Sequence, residues 1–442
     1  MTVEGRYPIA SRTLDNGLRV VVSPTPGLGL VAVNLWYDVG SRHEEPHRQG
    51  FAHLFEHLMF QGSRHVKSGD HFALIQGNGG SLNATTSFDR TNYFEVVPSG
   101  ALDLALWLEA DRMAYLDDVL TQENFETQVS VVAAERSQRM DNVPYGTAFE
   151  DLLPLLFDAE HPYGHLPIGN MAHLAEATLE EVAHFHSRFY MPNNAVLTIV
   201  GDVPESAAFE RAGHFFADVE AKDAPKRELP DPLPPLGVPA RIDLTQDVPA
   251  PAVWFAARLP QDEAVSRELG AVEMASVILG EGETSRLYRR LVREDEIALS
   301  AGLGVNSLIA GNSLAAASVR AMPGGDLDQV TAVFEEVLMR FASDGPTELE
   351  LEIARAQSER AWLDDMGTAG GRADALSSCA LLYDSPQVLN ERLPLLRSLT
   401  AEDVRDAAAR WLVPALNAQL RINPSGEMDP EVAAALLAEE EL

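Results

Sequence analysis

Two stretches of this 442-residue chain are variations on one another. TLEEVAHFHSRFYMPNNAVLTIVGD begins at Thr178 and TAEDVRDAAARWLVPALNAQLRINP at Thr400; each places a Thr, acidic residues, a Val and, ten residues after the Val, a Pro. Pro192 and Pro414 therefore share one register, 222 residues apart. Each stretch reads as a capped amphipathic helix, a Pro-terminated turn and a short strand of alternating apolar residues. A period of about 220 residues is far too long for a solenoid unit, so the repeat points to two copies of one domain. Between them, six prolines from Pro225 to Pro239 remove backbone donors and favour an extended, semi-rigid spacer.

The predicted organisation is a first domain at 1–220, a Pro-rich linker at 221–242 and a second domain at 243–442. Strands such as LRVVVSP and AVNLWYDVG, followed by several helices and a further strand, predict an α+β fold. Each of the two homologous domains should be a mostly antiparallel sheet packed against helices. The last stretch, DPEVAAALLAEEEL, reads as a short acidic helix with Asp429 as N-cap and Pro430 at its first position.

Charge narrows the function classes. With 33 Lys and Arg against 67 Asp and Glu, the net charge of −34 argues against wrapping nucleic acid, which needs a basic surplus to displace counterions. The surplus could steer basic peptides over long range, but a solvated acidic surface is the simpler account. One cysteine, Cys379, allows no intrachain disulfide framework and no four-thiolate zinc site; it fits a reducing compartment and reads as a small buried hydrophobe. No apolar run approaches the ~18 residues needed to span a bilayer. The first twenty residues interleave Glu4, Arg6, Arg12, Asp15 and Arg19, unlike a signal peptide. The expectation is a cytoplasmic protein with neither membrane nor nucleic acid as partner.

The sharpest local signal is His53-Leu54-Phe55-Glu56-His57, within GFAHLFEHLMFQGS. Apolar neighbours, and Gly62 just beyond, predict a helix ending near Phe60. On it His53 and His57 stand one turn apart on one face, where both imidazoles can reach one ion. Glu56 lies beside them, placed to act as a base on metal-bound water rather than to ligate. This is the HxxEH pattern of the inverzincins. Two histidines leave a catalytic zinc one protein ligand short of the usual three. The best candidate is Glu135, 78 residues after His57 in ENFETQVSVVAAERSQRMDNVPYG, although spacing alone leaves it one of 38 glutamates. Farther on, NATTSFDRTNYFEVV reads as a hairpin turning near Phe88-Asp89-Arg90. His43, His47, His65 and His71 surround the motif without ligand spacing and are expected to be exposed loop residues.

Taken together, LDNGLRVVV, GFAHLFEHLMFQGS, NATTSFDRTNYFEVVP, the VVAAER and DNVPYG stretch, HPYGHLPIG and YMPNNAVLTIVGD resemble the M16 metallopeptidases, the family of pitrilysin, insulin-degrading enzyme and the mitochondrial processing peptidase. The resemblance runs over nearly the whole chain. It implies one Zn2+ per chain held by His53, His57 and Glu135, with Glu56 as catalytic base. It also implies two α+β domains, and the smaller bacterial type in which two subunits close a chamber around peptide substrates. Asn83 and Ala84, within the Ser81 to Thr86 segment, fall where the family holds the substrate backbone as an added strand.

Two departures stand out. Several members carry a supporting glutamate seven residues before the ligand glutamate; here that position is Gln128, which cannot raise a ligand's basicity as a carboxylate would. Many members also carry an Arg and a Tyr, seven apart, in the second domain after an SRL sequence. Laid on Ser285-Arg286-Leu287 without gaps, those positions are Val292 and Leu299, with Arg293 one residue off and no Tyr near Leu299. Leu269 to Leu279, the second domain's counterpart of the zinc motif, contains no histidine. The expected function is therefore the zinc-bearing subunit of a heterodimeric endopeptidase whose homologous partner supplies the Arg/Tyr pair. The alternative is a non-catalytic scaffold or peptide-binding member.

Overall fold

A computed structural model describes residues 6–227 and 229–426; the acidic helix expected around Asp429 and Pro430 lies outside the described residues. The chain forms two compact units. One comprises Met1–Ala134, His165–Glu228 and Ala361–Leu393, the other Glu135–Gly164, Leu229–Arg360 and Pro394–Leu442. Each unit takes most of its chain from one side of the Pro-rich segment and a shorter piece from the other side.

The first unit is built on six strands: β1 (Ala10–Thr13), β2 (Arg19–Pro24), β3 (Leu30–Tyr37), β4 (Ser81–Thr86), β5 (Thr91–Pro98) and β6 (Ala195–Gly201). Their order is β1-β2-β6-β3-β5-β4, antiparallel throughout except for the β2–β6 pair. The second unit carries β7 (Ala240–Gln246), β8 (Ala252–Arg258), β9 (Ala298–Asn306), β10 (Leu314–Ala321) and β11 (Asn417–Pro424) in the order β7-β11-β8-β10-β9, again with one parallel pair, β7–β11. Without β1, the two sheets have the same strand order. Both are packed against helices, so the chain is α+β with two alike, mostly antiparallel sheets.

The repeated stretches account for the alikeness. Thr178 and Thr400 each close a capping box, accepting the backbone N–H of the residue three on and donating their own to its carboxylate, Glu181 or Asp403. Such a box satisfies two of the donors a helix start leaves unpaired. The helices Leu179–Phe189 and Ala401–Trp411 follow, then single 3-10 turns at Pro192–Asn194 and Pro414–Leu416, then β6 and β11.

All seven residues of β6 are buried, as are seven of eight in β3. Val33, Leu35 and Leu197 enter the first core with Leu54, Phe55, Leu58 and Leu106, each such side chain contributing roughly 1.5–3 kcal/mol by leaving water. Residues of the opposite parity, Asn34, Trp36 and Thr198, meet the helix Ala369–Leu382 instead. A sheet covered on both faces carries no water-facing row. In the second unit, Phe255 stacks on Phe334 with ring centroids 3.8 Å apart, while Arg258 Nε donates to the Leu156 carbonyl at 2.8 Å and the Tyr145 hydroxyl to that of Ala250 at 2.7 Å. Cys379 is buried. Among the described residues no helix is long and apolar enough to cross a membrane.

Candidate metal centre

The helix α1 (Phe51–Leu58) buries Leu54, Phe55 and Leu58 in the core and leaves His53, Glu56 and His57 half-buried on its other side. Its start is unusually well anchored. Gly50 takes a left-handed φ of 102°, and the buried Glu44 carboxylate accepts the backbone N–H groups of Gly50 at 2.8 Å and Ala52 at 2.7 Å. A carboxylate in that place answers both the unpaired donors and the positive end of the helix dipole. His165 Nε2 lies 2.9 Å from the same carboxylate. Burial pushes the Glu44 pKa up, while His165 and the two amides pull against it. Gly169, with φ of 70°, packs on Gly50 so closely that a β-carbon there would stand 2.2 Å from the Gly50 nitrogen. Both His165 and Gly169 belong to HPYGHLPIG, whose use could not be read from spacing.

The helix α2 (Asp70–Gly77) and α3 (Leu102–Tyr115) follow, and α4 (Gln122–Arg136) holds Phe125, Gln128 and Val132 in buried positions. The division between the units falls between Ala134 and Glu135, inside α4, so Glu135 is carried on the same helix as Phe125, Gln128 and Val132. Gln128, seven residues earlier, lies on nearly the same side of α4.

One ligand atom each from His53, His57 and Glu135 lie within 4.8 Å of one another. The two imidazole centroids are 4.9 Å apart with planes at 82°. All three residues are partly accessible. Two nitrogens and one carboxylate oxygen form a donor set that suits zinc and leaves a fourth position open for water. Glu135 is also 2.5 Å from Arg139, whose side chain is 76% exposed. Beside the cluster, the Thr86 hydroxyl donates to Glu56 Oε2 at 2.6 Å. No local pattern in the sequence marked Thr86 or Glu44.

Asn83 and Ala84 stand on β4, the last strand of its sheet, which among the described strands pairs only with β5. Thr86 pairs with Thr91 across the turn, as the hairpin reading required. Ala84 is buried and Asn83 exposed, and the Asn83 side-chain oxygen accepts the Ala84 N–H at 3.0 Å. Val292 lies in a π-helical turn, partly buried against the second core, and Leu299 on β9; neither can donate a hydrogen bond. Arg293 is engaged with Glu283.

The surrounding histidines do not all sit in exposed loops. His71 is fully buried in α2, and burial, reinforced by the Arg112 charge, lowers its pKa to about 4. His43 is largely enclosed and held well below its usual value by burial, with Arg42 adding to the effect. His65 is half-exposed, 2.6 Å from the buried Asp111, and His47 is exposed beside Glu45. Apolar packing around α2 and the aromatic Phe189 ring beside His43, 5.4 Å away, explain the difference.

Residues 19–156 match the family model described as Insulinase (Peptidase family M16), and residues 176–358 the one described as Peptidase M16 inactive domain. The chain belongs to the M16 peptidase family. Among its M16 relatives, the zinc protease PqqE of Helicobacter pylori is 34% identical over 292 residues, 66% of this chain and 65% of that protein. An uncharacterized zinc protease of Mycobacterium leprae is 28% identical over 91% of this chain and 89% of its own length. A crystal structure of a protease from Helicobacter pylori superposes with a TM-score of 0.87 at 27% identity, covering 95% of this chain and all of that one. The HxxEH residues fall inside the 19–156 match, and the inactive-domain match spans sequence without that motif.

Proposed function

We propose that this chain is a zinc-dependent endopeptidase subunit acting on peptides or unfolded polypeptides. The observation that carries the reading is the convergence of His53, His57 and Glu135 within 4.8 Å, with Glu56 one residue from a ligand and oriented by Thr86. His53, His57 and Glu135 would hold the ion. When bound, zinc supplies an acidified water and a Lewis acid toward the scissile carbonyl. Glu56 takes the proton of the attacking water and passes it to the departing amine. Thr86 holds the Glu56 carboxylate in place throughout. The peptide lies along β4 as an added strand, where Asn83 and Ala84 meet its backbone.

Val292 and Leu299 cannot donate to a developing oxyanion, and losing such a donor typically costs ~10²-fold or more in rate. A homologous partner subunit carrying an Arg and a Tyr therefore completes the site in a closed, two-subunit chamber. Replacing Glu56 by Gln should leave zinc bound and stop hydrolysis of a quenched fluorescent peptide; a variant cleaving at the parental rate would place the base elsewhere. Full activity of the purified chain without any partner would remove the need for a heterodimer. The inactive-domain match favours one second reading, a peptide-binding scaffold. Stoichiometric zinc without hydrolysis, even with the partner present, would select it.

A further inference from the structure

The back of the β4–β5 hairpin is held by a polar network whose keystone comes from far along the chain. Asp374, on the helix Ala369–Leu382, uses one carboxylate oxygen to accept three N–H groups: Asn34 Nδ2 at 3.2 Å, Trp36 Nε1 at 3.2 Å and Asn92 Nδ2 at 3.3 Å. Asn34 and Trp36 lie on β3, and Asn92 on β5. Asn92 Nδ2 also donates to Asn34 Oδ1 at 3.0 Å. With its amide nitrogen engaged in this way, Asn92 turns its oxygen toward β4, where it accepts the Thr85 hydroxyl at 2.6 Å and Arg90 Nη1 at 3.2 Å. Arg90 Nη1 donates in turn to the Thr85 carbonyl at 2.9 Å and contacts the Thr85 hydroxyl, while its guanidinium lies over the Trp36 ring, 4.7 Å from the centroid. The next residue, Thr86, holds Glu56.

We propose that Asp374 is a positioning residue for the peptide-binding edge: by fixing which way the Asn92 amide faces, it sets the register and rigidity of Thr85–Thr86 on β4. The physical requirement is specific. A primary amide can flip, exchanging donor for acceptor, and acceptors on its nitrogen side together with the Arg90 donor on its oxygen side make one orientation decisive. In the flipped state the Asn92 nitrogen would face the Thr85 hydroxyl and the Arg90 guanidinium, and a donor would confront a cation. Asp374 is an acceptor only, and its charge strengthens the bonds it accepts. It also faces the half-buried Arg90, whose charge burial disfavours and the nearby carboxylates, Asp374 foremost, support. An edge strand has one paired side, so its outer half is the part most easily loosened. Here the β5-paired side is reinforced by side chains in addition to the ladder itself. Asp374 never touches the peptide or the metal ligands; its effect runs through Asn92 and Arg90 to Thr85.

This inference rests on the reading of β4 as the peptide-binding strand, and the experiment separates the two. In the full-length chain, Asp374→Ala should raise hydrogen exchange of the residue 83–86 amides at least tenfold while the α1 amides change less than twofold. Zinc affinity should stay within twofold of the parent, and the Kd for a fluorescein-labelled unstructured peptide, read by anisotropy on the metal-free protein, should weaken at least tenfold. Asp374→Asn, which keeps an oxygen acceptor, should restore most of both effects. A merely structural role would raise exchange throughout the unit, or leave β4 and α1 equally protected, and either result overturns the proposal. If Asp374→Ala fails to fold, Asn92→Ala, which removes the same relay from the strand side, takes its place with the same expectations. A parent chain that binds no peptide overturns the edge-strand reading alone, and the exchange pattern then decides the positioning role by itself.

Discussion

Removing Glu44 tests whether the helix of the candidate metal centre depends on its buried cap. In Glu44→Ala, the N–H groups of Gly50 and Ala52 lose the acceptor now 2.8 and 2.7 Å away, in a place water reaches poorly. Loss of an N-cap costs about 1–2 kcal/mol, and a carboxylate near a partly buried helix start adds up to ~2 kcal/mol through the dipole. Relief of the desolvation that raises the Glu44 pKa returns part of this, so the net loss should be about 3 kcal/mol. For a unit of this size that lowers Tm by roughly 6–12 °C. The zinc effect should be sharper than the stability effect. His53 is the third residue of α1 and lies in the turn that frays, whereas His57 lies a turn deeper. Opening that first turn breaks the paired imidazoles, and ~1.4 kcal/mol of added opening cost is tenfold in affinity. Calorimetric unfolding and competition titration with a zinc-binding dye measure both quantities. Glu44→Gln, which keeps one acceptor oxygen, should fall midway. A Glu44→Ala protein with Tm within 1 °C of the parent and unchanged zinc affinity would refute the reasoning.

Other outcomes follow from the same geometry. Zinc added to metal-free protein at 100 times its Kd should raise stability by about 2.7 kcal/mol, visible as a rise in Tm of several degrees; His57→Ala should abolish that rise and leave the metal-free Tm within a few degrees. His71 is neutral and buried with a pKa near 4 against an ordinary 6.5, so the unfolded chain binds its proton first. The stability this contributes is fully present above about pH 6.5 and is lost as pH falls toward 4, by about 3 kcal/mol in all; urea titrations at pH 7 and 4.5 should show the loss, and His71→Leu should flatten it. Gly169→Ala places a methyl against the Gly50 backbone in a left-handed conformation. It should cost more than ~3 kcal/mol, and a Tm unchanged by this substitution would mean that the Gly50–Gly169 contact is looser than described.

Much of the architecture and part of the site were legible in residue spacing, for reasons that are local. Helical geometry puts His53 and His57 on one face whatever the rest of the chain does, and a strand-turn-strand pattern brings Thr86 opposite Thr91. The two Thr-led stretches carry their caps, turns and strands within 25 residues, so two alike sheets with the same strand order were foreseeable. Spacing could not rank Glu135 above other glutamates, because its distance from the histidines is set by how α4 packs and not by any local repeat. The same holds for Glu44 beneath the helix start, for His71 enclosed in the core and for β6 buried on both faces. All depend on which distant segments settle against the sheet, and above all on Ala361–Leu393 joining the first unit across more than a hundred residues of chain. Covalent periodicity dictates what neighbours along one element can share; packing free energy alone chooses which elements meet, and on that choice the surroundings of the candidate metal ligands depend.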